Sequence, residues 1–233
     1  MAKEVEDLVI RRNRAIISQW VQNSNMIVSA VDVTELPLLV SLYNHNSKPK
    51  IMALGNIDLN NAFMLKSEGN PDYNASIWVR CGKKGCHYTE YRAAYRKFLE
   101  QAYNIKIEKK DPEGREVDHL LNLGRAETEG VFVRVEAVKT RVNRAWGGGF
   151  ERVSSSDHFS VSNSRSKRII SWSIAAKLGD QMPPRNKYDK DGLERLKIFF
   201  KGMGISELEL TNKVANIEKH FSHHYQFTKG GQE

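Results

Sequence analysis

Residues 115–146 constrain the fold most. Val131-Phe132-Val133-Arg134-Val135-Glu136-Ala137-Val138 is rich in β-branched side chains and alternates apolar with polar residues over part of its length, which predicts a strand. Lys139 to Trp146 reads as a short helix, closed by Gly147-Gly148-Gly149. Upstream, Asp111-Pro112-Glu113-Gly114 is a turn signal, residues 115–120 form a short strand, and residues 122–130 form a polar loop. Strand, loop, strand and helix in that order predict a β-hairpin folded against a helix.

The flanking chain reads as helices with a few strands. Val5, Leu8, Val9, Ile16, Trp20 and Val21 recur at three-and-four spacing, so residues 4–22 are a helix, with Arg11, Arg12 and Arg14 between the apolar positions. A short strand is expected at 26–32, and a helix capped by Thr34 runs to about residue 44. Residues 45–75 lack a clear period and read as loop with short strands, one of them at 51–54. Residues 77–80 form a strand and 89–103 a helix with a buried stripe of Tyr91, Ala94, Tyr95, Phe98, Leu99 and Ala102. Residues 104–109 suit a strand, and 168–177 a strand or a short helix. After the serine-rich stretch 153–164 and the Pro183-Pro184 boundary, residues 193–201 and 207–225 read as a helical pair. The expected class is α+β, divided as 1–79 (helix-rich), 80–182 (core) and 183–233 (helical pair).

Charge is distributed unevenly. The chain of 233 residues carries a net charge of +8, with 36 basic and 28 acidic side chains. Residues 1–79 contribute −1, 80–152 contribute +5 and 153–233 contribute +4. A basic region of this kind attracts polyanions, nucleic acid foremost. The chain lacks an apolar run long enough to span a bilayer, and its N-terminus lacks a signal-peptide pattern. Two cysteines cannot build a disulfide framework. The expected location is the cytoplasm, or a target cell's cytoplasm reached without a cleaved signal.

Most candidate sites are weak. Cys81, Cys86 and His87 offer three zinc ligands without a second pair, so a Gly-Lys turn with two thiols is the alternative. His220 and His224 are four apart on an expected helix, but the glutamate of a metalloprotease motif is replaced by Phe221. Walker, Rossmann and serine-elbow motifs are absent.

Asp118-His119 closes the first hairpin strand, and Asn143 lies on the helix. Cutting a phosphodiester needs a base for water, a divalent cation and positive charge around the phosphates. His119 titrates near neutrality and suits the base. Asp118 and Asn143 offer hard oxygens that suit Mg²⁺, with Glu151 eight residues beyond Asn143 as a further candidate. Arg115, Arg125, Arg141 and Arg144 flank these positions as phosphate clamps. Strand neighbours point to opposite faces, so Asp118 and His119 can share a site only at a strand end or bulge.

Asp118-His119, Asn143-Arg-Ala-Trp146 and Glu151 resemble the His-Me finger (ββα-metal) nuclease superfamily. The tail is similar to the Asn, Trp and Glu pattern of non-specific DNA/RNA endonucleases, although their Asp-Arg-Gly-His is here Glu-Val-Asp118-His119. Residues 89–103, 116–126 and 142–151 also resemble nuclease domains of bacterial antagonistic toxins. The resemblance implies a ββα-metal core with helical additions at both termini. It implies a metal-dependent endonuclease with His119 as general base and Asp118 and Asn143 as metal ligands, acting on DNA or, alternatively, RNA. A toxin would also require an acidic immunity protein as partner. The competing reading is a non-enzymatic nucleic-acid-binding protein that uses the basic region from Arg80, with Trp78, Tyr91, Tyr95 and Trp146 as stacking candidates.

Overall fold

A computed structural model describes residues 2–23, 26–30, 33–34, 36–38, 40, 48–81, 88–108, 111–121, 131–147, 167–169, 172–185 and 189–210. Its elements are α1 (Ala2–Gln22), β1 (Ile27–Ala30), β2 (Lys50–Ala53), β3 (Ala62–Lys66), α2 (Pro71–Asn74), β4 (Ala75–Cys81), α3 (Tyr91–Tyr103), β5 (Arg115–His119), β6 (Val131–Lys139), α4 (Thr140–Ala145), β7 (Lys167–Ile169), α5 (Trp172–Leu178) and α6 (Lys190–Gly202). The class is α+β, with strand order β2-β3-β4-β6-β1-β7 and β5 paired to β6. The pairings are antiparallel. No described helix is long and apolar enough to cross a membrane.

β6 organises the sheet. Its first half pairs with both β4 (Val79↔Val133) and β1 (Ser29↔Val133), and its second half pairs with β5 (Val117↔Ala137). Eight of its nine residues are buried. Val131, Val133 and Val138 pack with α5 and α6, Val135 and Ala137 pack with α3, and Phe132 packs on Trp78. The partial alternation in the sequence hides this double-sided burial, because Arg134 and Glu136 occupy interior positions. The strands of the sheet come from both sides of residue 79.

Ion pairing makes that interior charge tolerable. Arg12, on α1, is fully buried; its Nη2 donates to Glu136 Oε1 at 2.7 Å and its Nη1 to the Tyr103 hydroxyl at 2.5 Å. Its guanidinium lies 4.6 Å from the centre of the Phe98 ring. Arg134 donates twice to the same Glu136 oxygen, at 3.0 and 3.1 Å. Burial disfavours the charge on Arg12, but Glu136, Tyr103 and Tyr95 outweigh it and hold its pKa above the ordinary value. Burial lowers that of Arg134, against the pull of Glu136. α1 rises about 30 Å at 1.5 Å per residue. It therefore reaches two clusters, Val5, Leu8 and Val9 on the α3 side and Ile16, Ile17 and Trp20 on the α5 and α6 side.

Elsewhere local chemistry explains the ends of elements. Asn70 caps α2, accepting from the Asp72 N–H, with Pro71 in the first turn. Asn104 stands at φ 55°, a left-handed cap that ends α3. Residues 104–108 then run without regular structure, where a strand was expected. Of the short strands expected within 45–75, β2 covers most of 51–54; the second, β3, forms because Ala62-Phe63-Met64-Leu65 is buried between β2 and β4, and the short helix α2 follows it. Residues 168–177 are divided between β7 and α5. Residues 207–210 are helical, and the rest of the helix expected over 207–225 lies outside the described residues.

Interior groups, Cys81 and Tyr103 among them, make stability sensitive to alkali. Burial, then the charge of Asp118, pushes the Cys81 thiol up to about 12. Burial also pushes the Tyr103 phenol up to about 12, against the opposing effect of Arg12. Both hold their proton more tightly in the folded state, so the unfolded chain sheds it first as pH climbs. Their stabilisation is complete below about pH 9 and is lost progressively up to about pH 12. The urea midpoint should therefore be lower at about pH 11 than at about pH 8; equal midpoints would contradict this.

Candidate nuclease centre on the β5–β6 hairpin

β5 is a regular strand. Its register with β6 runs unbroken from Arg115↔Lys139 to His119↔Val135. Arg115, Val117 and His119 are buried, while Glu116 and Asp118 are partly exposed. Alternation thus continues to the last residue, and Asp118 and His119 leave opposite faces without a bulge. The side chain of Asp111 covers the outer edge, accepting from the Val117 N–H at 3.3 Å and pairing with Arg92 of α3 at 3.0 Å.

The partly exposed face carries two carboxylates. Glu116 Oε1 accepts from Arg144 Nη2 at 2.7 Å and Nε at 3.1 Å, and Glu116 Oε2 accepts from Asn143 Nδ2 at 3.1 Å. α4 continues directly from β6, and this brings Asn143 back over the first strand. Asp118 Oδ2 accepts from Lys177 Nζ at 2.5 Å. Lys177 is 1% exposed, the one basic residue in the apolar helix WSIAAKL. A lysine buried in such a run needs an acid partner, and the partly exposed carboxylate of Asp118 supplies it.

The other face is structural and aromatic. Arg115 forks onto Asp180 through two bonds of 3.0 and 2.8 Å and is almost fully buried. In this arrangement it braces the turn after α5. Trp146 adds a second tie, donating from Nε1 to the Gln181 carbonyl at 2.7 Å. The His119 ring lies 4.4 Å from that of Tyr91, centre to centre. Burial raises the pKa of the Tyr91 hydroxyl; Arg92 opposes this, while Asp118, Asp111 and Glu116 add to it. Tyr91 therefore lies against the histidine and within electrostatic reach of the acidic face.

The donor set bears on which cation could bind. Among the described residues, no three His, Cys, Asp or Glu side chains form a metal cage. Two carboxylates and an amide suit Mg²⁺, which keeps several waters and takes few protein ligands. They do not suit structural zinc.

The remaining expected residues scatter. Arg141 and Arg144 are exposed on α4. Trp78, Tyr95 and Trp146 are buried, which removes them as stacking surfaces. Arg125, Glu151, Cys86, His87, His220 and His224 lie outside the described residues. Glu116, Lys177 and Asp180 were not anticipated. The spacing of Glu116 and Asp118 on one strand face could have flagged the first, and the apolar setting of Lys177 the second. Comparison with family models, with curated proteins and with solved structures finds no match for this chain.

Proposed function

We propose that this chain is a metal-dependent endonuclease of the ββα-metal type, cutting nucleic-acid backbone with little sequence preference. The observation that carries this reading is the bond from Asn143 to Glu116, which brings a helix amide to the hairpin strand two residues before Asp118. His119, the last residue of β5 and on the face opposite Asp118, takes the proton from the attacking water with its ring held against Tyr91, and in this reading the phosphate is reached around the strand end. The water oxygen bonds to phosphorus as the bond to the leaving ester oxygen breaks, and that oxygen is then protonated from solvent. Asp118 and Asn143 present the oxygens that would hold Mg²⁺, and Lys177 fixes the Asp118 carboxylate. When bound, such a cation polarises a phosphate oxygen and neutralises charge on the leaving group. Arg141 and Arg144 face solvent and meet backbone phosphates without reading bases.

A second reading has its own support. Glu116, Asp118 and Arg115 are all ion-paired, as in a purely structural cluster on a nucleic-acid-binding protein. Chelation separates the two. Purified protein incubated with plasmid DNA and with total RNA should cut at least one of them with Mg²⁺ and neither with EDTA. Retarded but intact nucleic acid under both conditions would favour binding alone.

A further inference from the structure

The arginine run of α1 serves three different ends. Arg12 is buried in the core. Arg11 is held through its Nε by Asp72, itself 3% exposed, and the two terminal nitrogens of Arg11 bond no described residue. Arg14 is exposed and has no ion-pair partner among the described residues. Arg11 and Arg14 are three apart on one helix face, where like charges destabilise each other. Both line a cavity of about 440 Å³ together with Ile10, Ser18, Tyr73 and Met203. Tyr73 is 43% exposed and is the one aromatic residue among the exposed large hydrophobic side chains of the described residues. Asp7 also lines the cavity, one turn before Arg11, so the lining carries two arginines and one carboxylate, with Asp72 holding Arg11 from outside it.

We infer that this cavity is a binding site for a nucleoside phosphate, free or within a single strand. Arg11 is pre-oriented by Asp72 and offers two parallel donors to phosphate oxygens. Arg14 supplies the second charge. Tyr73 provides a flat face for a base, with Ile10 and Met203 as the apolar floor. The volume falls within the range of small-molecule sites. The site lies on α1, α2 and the residue that ends α6, and does not rest on the chemistry of β5.

The test is fluorescence anisotropy with labelled oligo(dT) in EDTA, so that cleavage cannot consume the probe, and with AMP as competitor. Arg14→Glu and Tyr73→Ala should each weaken oligonucleotide binding about tenfold or more, while Tyr73→Phe keeps wild-type affinity. Competition by AMP marks a mononucleotide site; binding of the oligonucleotide without such competition marks a strand site. Unchanged affinity in both Arg14→Glu and Tyr73→Ala overturns the inference, as does a Tyr73→Phe variant as weak as Tyr73→Ala. An Arg141→Glu/Arg144→Glu variant should leave the effect of Tyr73→Ala intact. If nuclease activity is absent while the Tyr73 dependence persists, the endonuclease reading fails and this site stands.

Discussion

His119→Ala should lower phosphodiester cleavage by about 10²–10⁴-fold, the usual cost of losing a general base. The expectation rests on the position of His119 at the end of β5, with its ring on Tyr91. His119 is also buried, so its truncation opens space beside Tyr91. His119→Gln, which keeps most of the side-chain volume, serves as the second variant, and thermal denaturation of both should show a retained cooperative transition. Asp118→Asn should be equally inactive and should also weaken the Mg²⁺ dependence, because it removes the charge that Lys177 and a cation would share. Wild-type cleavage by a folded His119 variant would falsify the base assignment. Wild-type cleavage by Asp118→Asn would remove the acidic face from the mechanism.

Glu136→Ala should destabilise the fold by about 3–5 kcal/mol, because it leaves Arg12 and Arg134 buried without their counter-charge. For a chain of this size that corresponds to a melting-temperature drop of roughly 6–20 °C. A loss below about 1 kcal/mol would mean that water reaches the cluster and screens it as at a surface. The companion experiment replaces all three side chains with apolar ones of similar volume, Arg12→Met, Arg134→Met and Glu136→Leu. Its stability should return close to that of the wild type, since a buried ion pair contributes little beyond offsetting its own desolvation. Denaturant midpoints of the single and triple variants distinguish a network that stabilises from one that merely breaks even.

These effects fall on residues whose importance was unequally visible in the sequence. The hairpin and its helix were legible: residues 115–120, 131–138 and 139–146 emerged as β5, β6 and α4 with boundaries shifted by a residue or two. Periodicity suffices there because each element buries a face that its own spacing defines. β3 was not legible, since a short apolar run in a polar context has no period of its own and is stabilised by its neighbours β2 and β4. The candidate site was half legible. Asp118, His119 and Asn143 stand out as residue types near a hairpin, but Lys177 is 59 residues from Asp118 in the chain.

Residue order alone specifies the α+β class, the long amphipathic α1, the order of hairpin and helix, and the concentration of positive charge after residue 79. These follow from local spacing and composition, which act over a few residues. The tertiary structure decided which charges are available. Arg11, Arg12 and Arg14 are near neighbours on one helix, yet one is pinned by Asp72, one is sealed against Glu136, and one faces solvent. Arg115 and Arg144 looked like equivalent phosphate clamps until Asp180 enclosed the first and Glu116 left the second 72% exposed. The physical reason is that a charge takes its role from its desolvation and its nearest counter-charge, and both are set by segments remote in sequence.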